Sequence, residues 1–309
     1  MASSEPIISF QQYGKENVRL VKVKKLPGGK HEIIELKVSI LLSGKAFDES
    51  YTKADNTNVV ATDSMKNIVY LVANSSTKLP CIEKFGIELG EFMLSKYPEL
   101  VEKVQITIEK VGWERLVLSG KAHPHTFSSN VNGMRKTQVV VSRGSSPTIM
   151  VVSEISDLSV LKTTGSSFKD FYRDQYATLP DADDRILSTA ICIRWSFAPI
   201  HSFEDAYSKY EFCKAYEIVR DISLDEFASI DSPSVQATLY TTCKRTLNKL
   251  PHVDHVYMEL PNRHVFTLDL PVFKTETHKK NPPKDIYVPL AQPNGLIKAS
   301  VSRASAAKL

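Results

Sequence analysis

The chain has 309 residues, 42% hydrophobic and 24% charged, and its 39 basic and 35 acidic side chains leave a formal charge of +4. That length holds one large core or two ordinary ones at about 100–200 residues per domain, and two domains are expected. The small, dispersed basic excess gives no ground for a nucleic-acid partner and fits a small anionic ligand at least as well.

The N-terminal "MASSEPIISF" lacks a basic region followed by a long apolar run, and no uninterrupted apolar stretch approaches the ~20 residues of a membrane span. A soluble chain not secreted by this route is expected. In "HEIIELKVSILLSG", Ile34, Leu36, Val38, Ile40 and Leu42 alternate with polar residues, the period of a long half-buried strand. Lys15 in "YGKENV" is read as preceding the first strand, where a lysine is ordinarily solvated and acts as a base only if desolvated.

"NVVATDSMKN" joins an apolar run to a helical pattern, with Met65, Ile68, Val69 and Val72 on one stripe and a helix start near Ser64. Thr62 and Asp63 there suit a helix cap. The same free N–H groups and positive dipole end also suit an anion or polarised oxygen. A second helix follows Pro80, carrying Ile82, Phe85, Leu89 and Phe92, and ends before Pro98. Val104, Ile106 and Ile108 then alternate as a strand.

His123 and His125 in "AHPHTF" have the spacing of two metal ligands on a strand. No third ligand stands nearby in sequence and Pro124 indicates a turn, so no metal site is expected. Cys81, Cys192, Cys213 and Cys243 are widely spaced, without a C-x-x-C, and read as free thiols in a reducing or thiol-tolerant compartment.

The second half echoes the first. "LPCIEKF" parallels "SPSVQAT", and "MLSKYPELVEKVQITI" parallels "TLNKLPHVDHVYMEL"; Pro80 and Pro233, Leu94 and Leu247, and Pro98 and Pro251 keep one separation. A tandem duplication of strand, strand, helix, helix, strand, strand is expected, with its boundary in "RGSSP" between residues 1–146 and 147–309. Each half would be an α+β unit, an antiparallel sheet with two helices on one face, whose open edges and second face invite oligomers.

In the second half, Arg185 follows the acidic run of "DADDRILST" and is open to pairing with Asp183 or Asp184. Gln236 falls on the first turn of its helix. Asn262, His264, Phe266, Leu268 and Leu270 are read as one strand face, where His264 is either a proton relay or a satisfied core histidine. No nucleophile elbow, Walker loop, dinucleotide fingerprint or zinc-ligand array is present in the sequence. The chain ends Ala307-Lys308-Leu309, close to the S-K-L peroxisomal address.

Taken together, "YGKENV", "YTKADNTNVVATDSMKN", "GKAHPHTF", "LKTTGSSF", "DRILST", "SPSVQATLY", "LPNRHVF" and "PNGLIK" resemble the urate oxidase (uricase) family, in order from Tyr13 to the C-terminus. The resemblance implies two tandem tunnelling-fold domains, assembled as a homotetrameric barrel around a central tunnel with active sites at subunit interfaces. It implies oxidation of urate by O2 to 5-hydroxyisourate and hydrogen peroxide, with no metal and no organic cofactor.

It also implies a relay of Lys15, Thr62 and His264. Arg185 and Gln236 would hold the substrate, Phe168 would stack on it, and Asn262 would keep the oxygen or water site. Backbone groups of Asp63 and Val235 would add hydrogen bonds. Peroxisomal residence through an import receptor is implied by the C-terminal tripeptide together with the peroxide product. Ala122 and Ala190 depart from the residues frequent in that family, proline and an acidic residue, and leave local packing open.

Overall fold

The computed structural model describes residues 6–129, 132–267, 286–290 and 292–304. Chain order gives β1 (Tyr13–Lys25), β2 (His31–Ser43), α1 (Asp48–Thr52), α2 (Thr62–Ser75), α3 (Ile82–Lys96) and β3 (Lys103–Val111). A hairpin of β4 (Glu114–Leu118) and β5 (Lys121–Ser128) precedes β6 (Met134–Ser142). Then come β7 (Thr148–Lys162), β8 (Leu187–Phe197), α4 (Phe203–Ser208), α5 (Phe212–Ser229), α6 (Val235–Lys249) and β9 (Val253–Asn262). The short pair β10 (Val265–Thr267) and β11 (Tyr287–Pro289) and the last strand, β12 (Gly295–Ser302), complete the described elements.

Eight strands form one antiparallel sheet in the order β1-β2-β3-β6-β7-β8-β9-β12. The fold is thus mixed α and β around a large antiparallel sheet. The turn at Arg143–Pro147 connects β6 to β7, which pair directly from Met134–Ser156 to Ser142–Thr148, so the sheet is continuous through it.

Strand alternation assigns the two faces. Leu36, Val38, Ile40 and Leu42 on β2 and Val104, Ile106 and Ile108 on β3 are fully buried, against α3 residues Ile82, Phe85 and Leu89. Burying each such side chain contributes about 1.5–3 kcal/mol. Close approach of α3 requires Gly90, where an added Cβ would stand 2.5 Å from Val141 Cγ2. In the second half α6 covers β9 and β12, and Trp195, Val256 and Met258 lie in the core.

The opposite face carries ion pairs. Glu109 lies 3.0 Å from Lys37 and 3.5 Å from Lys136, Arg194 meets Glu154 at 2.6 Å, and Lys298 meets Glu259 at 3.0 Å. This is a solvated surface, where such pairs contribute little individually. Among the described residues no helix is long and apolar enough to cross a membrane.

Several local expectations need correction. Lys15 lies inside β1, paired with Ile40, because the strand starts at Tyr13 and a bulge between Lys15 and Val18 breaks its alternation. Pro124 does not turn the chain, since β5 runs through it. Asn262 ends β9 and His264 falls before β10, so these residues do not share one strand face; Leu268 and Leu270 lie outside the described residues. Ala307-Lys308-Leu309 also lie outside them.

Candidate functional site

The predicted residues gather in two groups. The first stands where β1 meets the start of α2. Tyr13 accepts the Val60 N–H at 2.8 Å and donates to the Val60 carbonyl at 3.2 Å, pinning the loop that delivers Thr62. The helix opens two residues earlier than the apolar stripe indicated, so Thr62 and Asp63 are its first two residues.

Asp63 is not the cap: the N-cap is Ala61, which has no side-chain acceptor. The Asp63 carboxylate instead accepts from Lys66 at 2.6 Å and Asn67 at 3.0 Å. Those bonds, Lys66 foremost, hold it below the usual carboxylate range, with a smaller contribution from the charge of Lys15. Lys15 therefore lies within electrostatic reach of the helix start. Among the described residues no side chain caps the N–H groups of the first turn, which leaves them suited to an anion.

The second group is assembled by a loop after β7. Gly165 has φ +75°, a conformation that glycine adopts without strain. It turns the chain so that Ser166 bridges Ser232, just before α6: Ser232 N–H donates to the Gly165 carbonyl and Ser167 N–H to the Ser232 carbonyl, both at 2.9 Å. Arg185 N–H donates to the Ser166 carbonyl at 2.8 Å. The loop holding Phe168 and Arg185 is thereby fastened to the segment leading into Val235 and Gln236.

Asp184 secures it further, accepting from the Thr164 hydroxyl at 2.6 Å and from the N–H groups of Gly165 and Ser166. These bonds, Thr164 first, keep its carboxyl below the usual range. Asp183 pairs with Lys169. Neither acid pairs with the Arg185 guanidinium, contrary to the simpler expectation from the acidic run.

That guanidinium lies over the Phe168 ring, 5.2 Å from its centroid, and buried Nε has no partner among the described residues. Burial lowers its pKa from the ordinary arginine value, yet an arginine remains charged at any working pH. A charged, planar, partly desolvated donor beside an aromatic ring matches a flat anion. Phe171, which sequence reasoning missed, stacks on Phe168 with centroids 4.8 Å apart and planes 8° from parallel.

Gln236 is exposed on the first turn of α6, whose cap is Ser234, accepting from Ala237 N–H at 3.1 Å. Val235 is buried. Arg263 N–H donates to the Ser188 carbonyl at 2.9 Å and so ties the end of β9 to β8, on the chain that continues from Arg185. Asn262, 9% exposed, is in register with Gly295, whose N–H donates to His264 Nε2 at 3.4 Å. Phe168, Arg185, Val235, Gln236, Asn262 and His264 thus belong to one connected region. Among the described residues no hydrogen bond or ion pair joins it to Lys15, Thr62 and Asp63.

Ala190 is 6% exposed on β8, whereas Ala122 is exposed on β5. His123 and His125 have ring centroids 4.7 Å apart, with His31 at 5.8 Å from His125. The group with the closest metal-ligand geometry among the described residues is Cys81, Glu83 and Cys213, which belongs to neither set of candidate residues.

The Uricase family model matches residues 11–140 and 151–298. A uricase of Emericella nidulans is 40% identical over 98% of this chain and 99% of its own, and one of Schizosaccharomyces pombe is 39% identical over 94% and 96%. Among solved structures, the uricase of Arthrobacter globiformis superposes with a TM-score of 0.83 at 32% identity, covering 97% of this chain and 96% of that one. The urate oxidase of Bacillus sp. TB-90 does so with 0.79 at 25%, covering 95% and 100%.

Proposed function

The chain belongs to the uricase family, and from that premise we propose how its residues carry out the oxidation of urate. It is a urate oxidase: urate, O2 and water give 5-hydroxyisourate and hydrogen peroxide. The observation carrying the site assignment is the Arg185 guanidinium set over Phe168 on a loop fastened beside the start of α6.

Arg185 and the Gln236 amide hold the edge of the purine through planar, paired hydrogen bonds. Phe168 supplies an aromatic face, and backbone N–H groups at Val235 and Asp63 complete the anion contacts. Lys15 accepts a proton through the Thr62 hydroxyl, which is too weak an acid to act alone. Asn262 holds O2 or water above the ring, and His264 moves protons to and from it. Urate is electron-rich once deprotonated, so the reaction needs orientation and proton transfer more than an added redox group. No metal or organic cofactor takes part in this scheme.

The repeated element order supports two tandem tunnelling-fold domains, residues 1–146 and 147–309. The unpaired edges of β1 and β12 and the ion-paired face of the sheet support a homotetrameric barrel with a polar central tunnel and interfacial sites. Ala307-Lys308-Leu309 would address the chain to the peroxisome through an import receptor, where the peroxide is disposed of.

The test is O2 uptake by the purified, chelator-treated protein on addition of urate, with peroxide released in equal amount. No uptake by the intact assembly would refute the proposal; uptake restored only by added metal would refute its cofactor-free form.

A further inference from the structure

Away from the urate site, the starts of α3 and α5 converge over β6 and β7 and bring two thiols together. Cys81 is the N-cap residue of α3, and Cys213 is the second residue of α5. Their sulfur atoms and a carboxylate oxygen of Glu83 lie within 4.8 Å of one another. Glu83 is fully buried. It accepts from Arg135 at 2.7 Å and from the Ser153 hydroxyl at 2.9 Å, and Cys81 Sγ stands 3.5 Å from it. Arg135 also donates to Cys213 Sγ at 3.5 Å and lies over the Tyr216 ring. Both thiols are partly exposed.

Two sulfurs and a carboxylate are a ligand set for a soft cation. Here a guanidinium already neutralises Glu83 and faces Cys213, so a dication would sit against a fixed positive charge. The same charge favours a thiolate. The Cys81 thiol beside it, and the facing Arg135, hold the Cys213 thiol below its ordinary value. Cys81 is pushed up by its bond to Cys213, by burial and by Glu83. A thiolate beside a protonated thiol is the arrangement of an attacking and a resolving cysteine.

We propose that Cys81 and Cys213 are a peroxide-oxidisable pair that closes a disulfide between α3 and α5, with the peroxide released by urate oxidation as oxidant. The source of peroxide rests on the urate-oxidising reading. The Cys213 thiolate attacks one peroxide oxygen; an S–O bond forms, the O–O bond breaks, and hydroxide leaves to become water on taking up a proton. The Cys213 sulfur is oxidised to sulfenic acid and peroxide is reduced. The Cys81 sulfur then attacks the sulfenic sulfur, the S–S bond forms, the S–O bond breaks, and a second water carries away the thiol proton. The bond ties the helical layer of the first half to that of the second.

The reduced full-length protein is treated in two arms, with stoichiometric reagent peroxide or with urate and air in the absence of catalase, then digested without reductant. The expected result in both arms is a cross-linked Cys81–Cys213 peptide, with a loss of about 2 Da per chain and a raised thermal unfolding midpoint. Cys213→Ser abolishes the cross-link, and Cys81→Ser lets Cys213 proceed to sulfinic acid, both with urate turnover unchanged. Independently of any variant, alkylation of Cys213 in the reduced protein should accelerate through a midpoint below the ordinary thiol value, ahead of Cys243, which burial pushes up to about 12.

Oxidation of Cys192 or Cys243 before Cys213 would overturn the proposal, as would Cys213 sulfinic acid with Cys81 still free in the wild type, or stoichiometric zinc held by the pair. A cross-link with reagent peroxide, but no peroxide on adding urate, would leave the thiol pair standing and remove the urate reading.

Discussion

Lys15 lies on β1 at one edge of the sheet, and Asn262 lies on β9, with only β12 beyond it. Six inter-strand steps separate β1 from β9, about 29 Å along the sheet at about 4.8 Å per step. Curling the sheet toward the proposed barrel shortens this path but still leaves a straight-line gap of roughly 20 Å. Hydrogen bonds reach about 3 Å, so one urate cannot touch Thr62 and Asn262 of the same chain. The proposed site therefore takes Lys15 and Thr62 from one protomer and Phe168, Arg185, Gln236, Asn262 and His264 from another.

Subunit complementation tests this directly. Thr62→Ala breaks the first group and Arg185→Gln the second, and either alone spoils every site. When one chain of each kind pairs across a two-fold axis, one site carries both lesions and the other carries none. Equal mixing makes half of the pairs mixed and half of their sites intact, so about a quarter of wild-type O2 uptake should return on co-refolding at saturating urate. Differently tagged chains, purified through both tags, establish that mixed assemblies are present. If those assemblies are no more active than the average of the two parents, the divided site is wrong.

Arg185→Lys keeps a charge but loses the planar fork, while the loop remains fastened through the Arg185 N–H to Ser166. At about 1.5–3 kcal/mol for a charge-assisted hydrogen bond, calorimetry should find a non-oxidisable urate analogue bound about 10- to 100-fold more weakly, and unchanged affinity would remove Arg185 from the substrate. Asp184 has a lowered pKa in the folded chain, so its hold on the loop is complete above 3.8 and is lost as pH falls through the lowered value. Hydrogen exchange of the peptide around Gly165 should therefore be faster in Asp184→Ala than in wild type near neutrality, and the difference should close below that range. Gly90→Ala forces a Cβ against Val141; overpacking of about 1–3 kcal/mol against about 1 kcal/mol of helix propensity gained should leave a net loss in denaturant melts with turnover retained.

The core was legible wherever burial is one-sided. Leu36 to Leu42 and the Ile82, Phe85, Leu89 stripe state their periods plainly because each faces a single apolar layer. The pattern failed where backbone irregularity or side-chain competition intervened. A bulge hid Lys15 inside β1, Lys66 and Asn67 drew Asp63 away from capping, and backbone N–H groups drew Asp184 away from Arg185. Local motifs read Thr62 and Asp63 as a cap and left His264 open, and the candidate set came from the family resemblance. Their placement in two regions of one chain follows from strand order, which is set by long-range pairing that alternation does not encode; only the resemblance, through its interfacial sites, hinted at it.

The echo between the halves lets two equivalent helix starts be compared. α3 opens two residues after Pro80 and α6 two residues after Pro233, so the second residue of each helix is comparable: Glu83 in one, Gln236 in the other. Glu83 is fully buried, with its carboxylate consumed by Arg135 and Ser153. Gln236 is exposed, with its amide bonded to nothing among the described residues. Breaking the Glu83 pair would leave a buried charge unmatched, at a cost of about 3–5 kcal/mol, so that helix start is committed to holding the halves together. Gln236 has no such duty, and the equivalent helix start is left to meet a ligand.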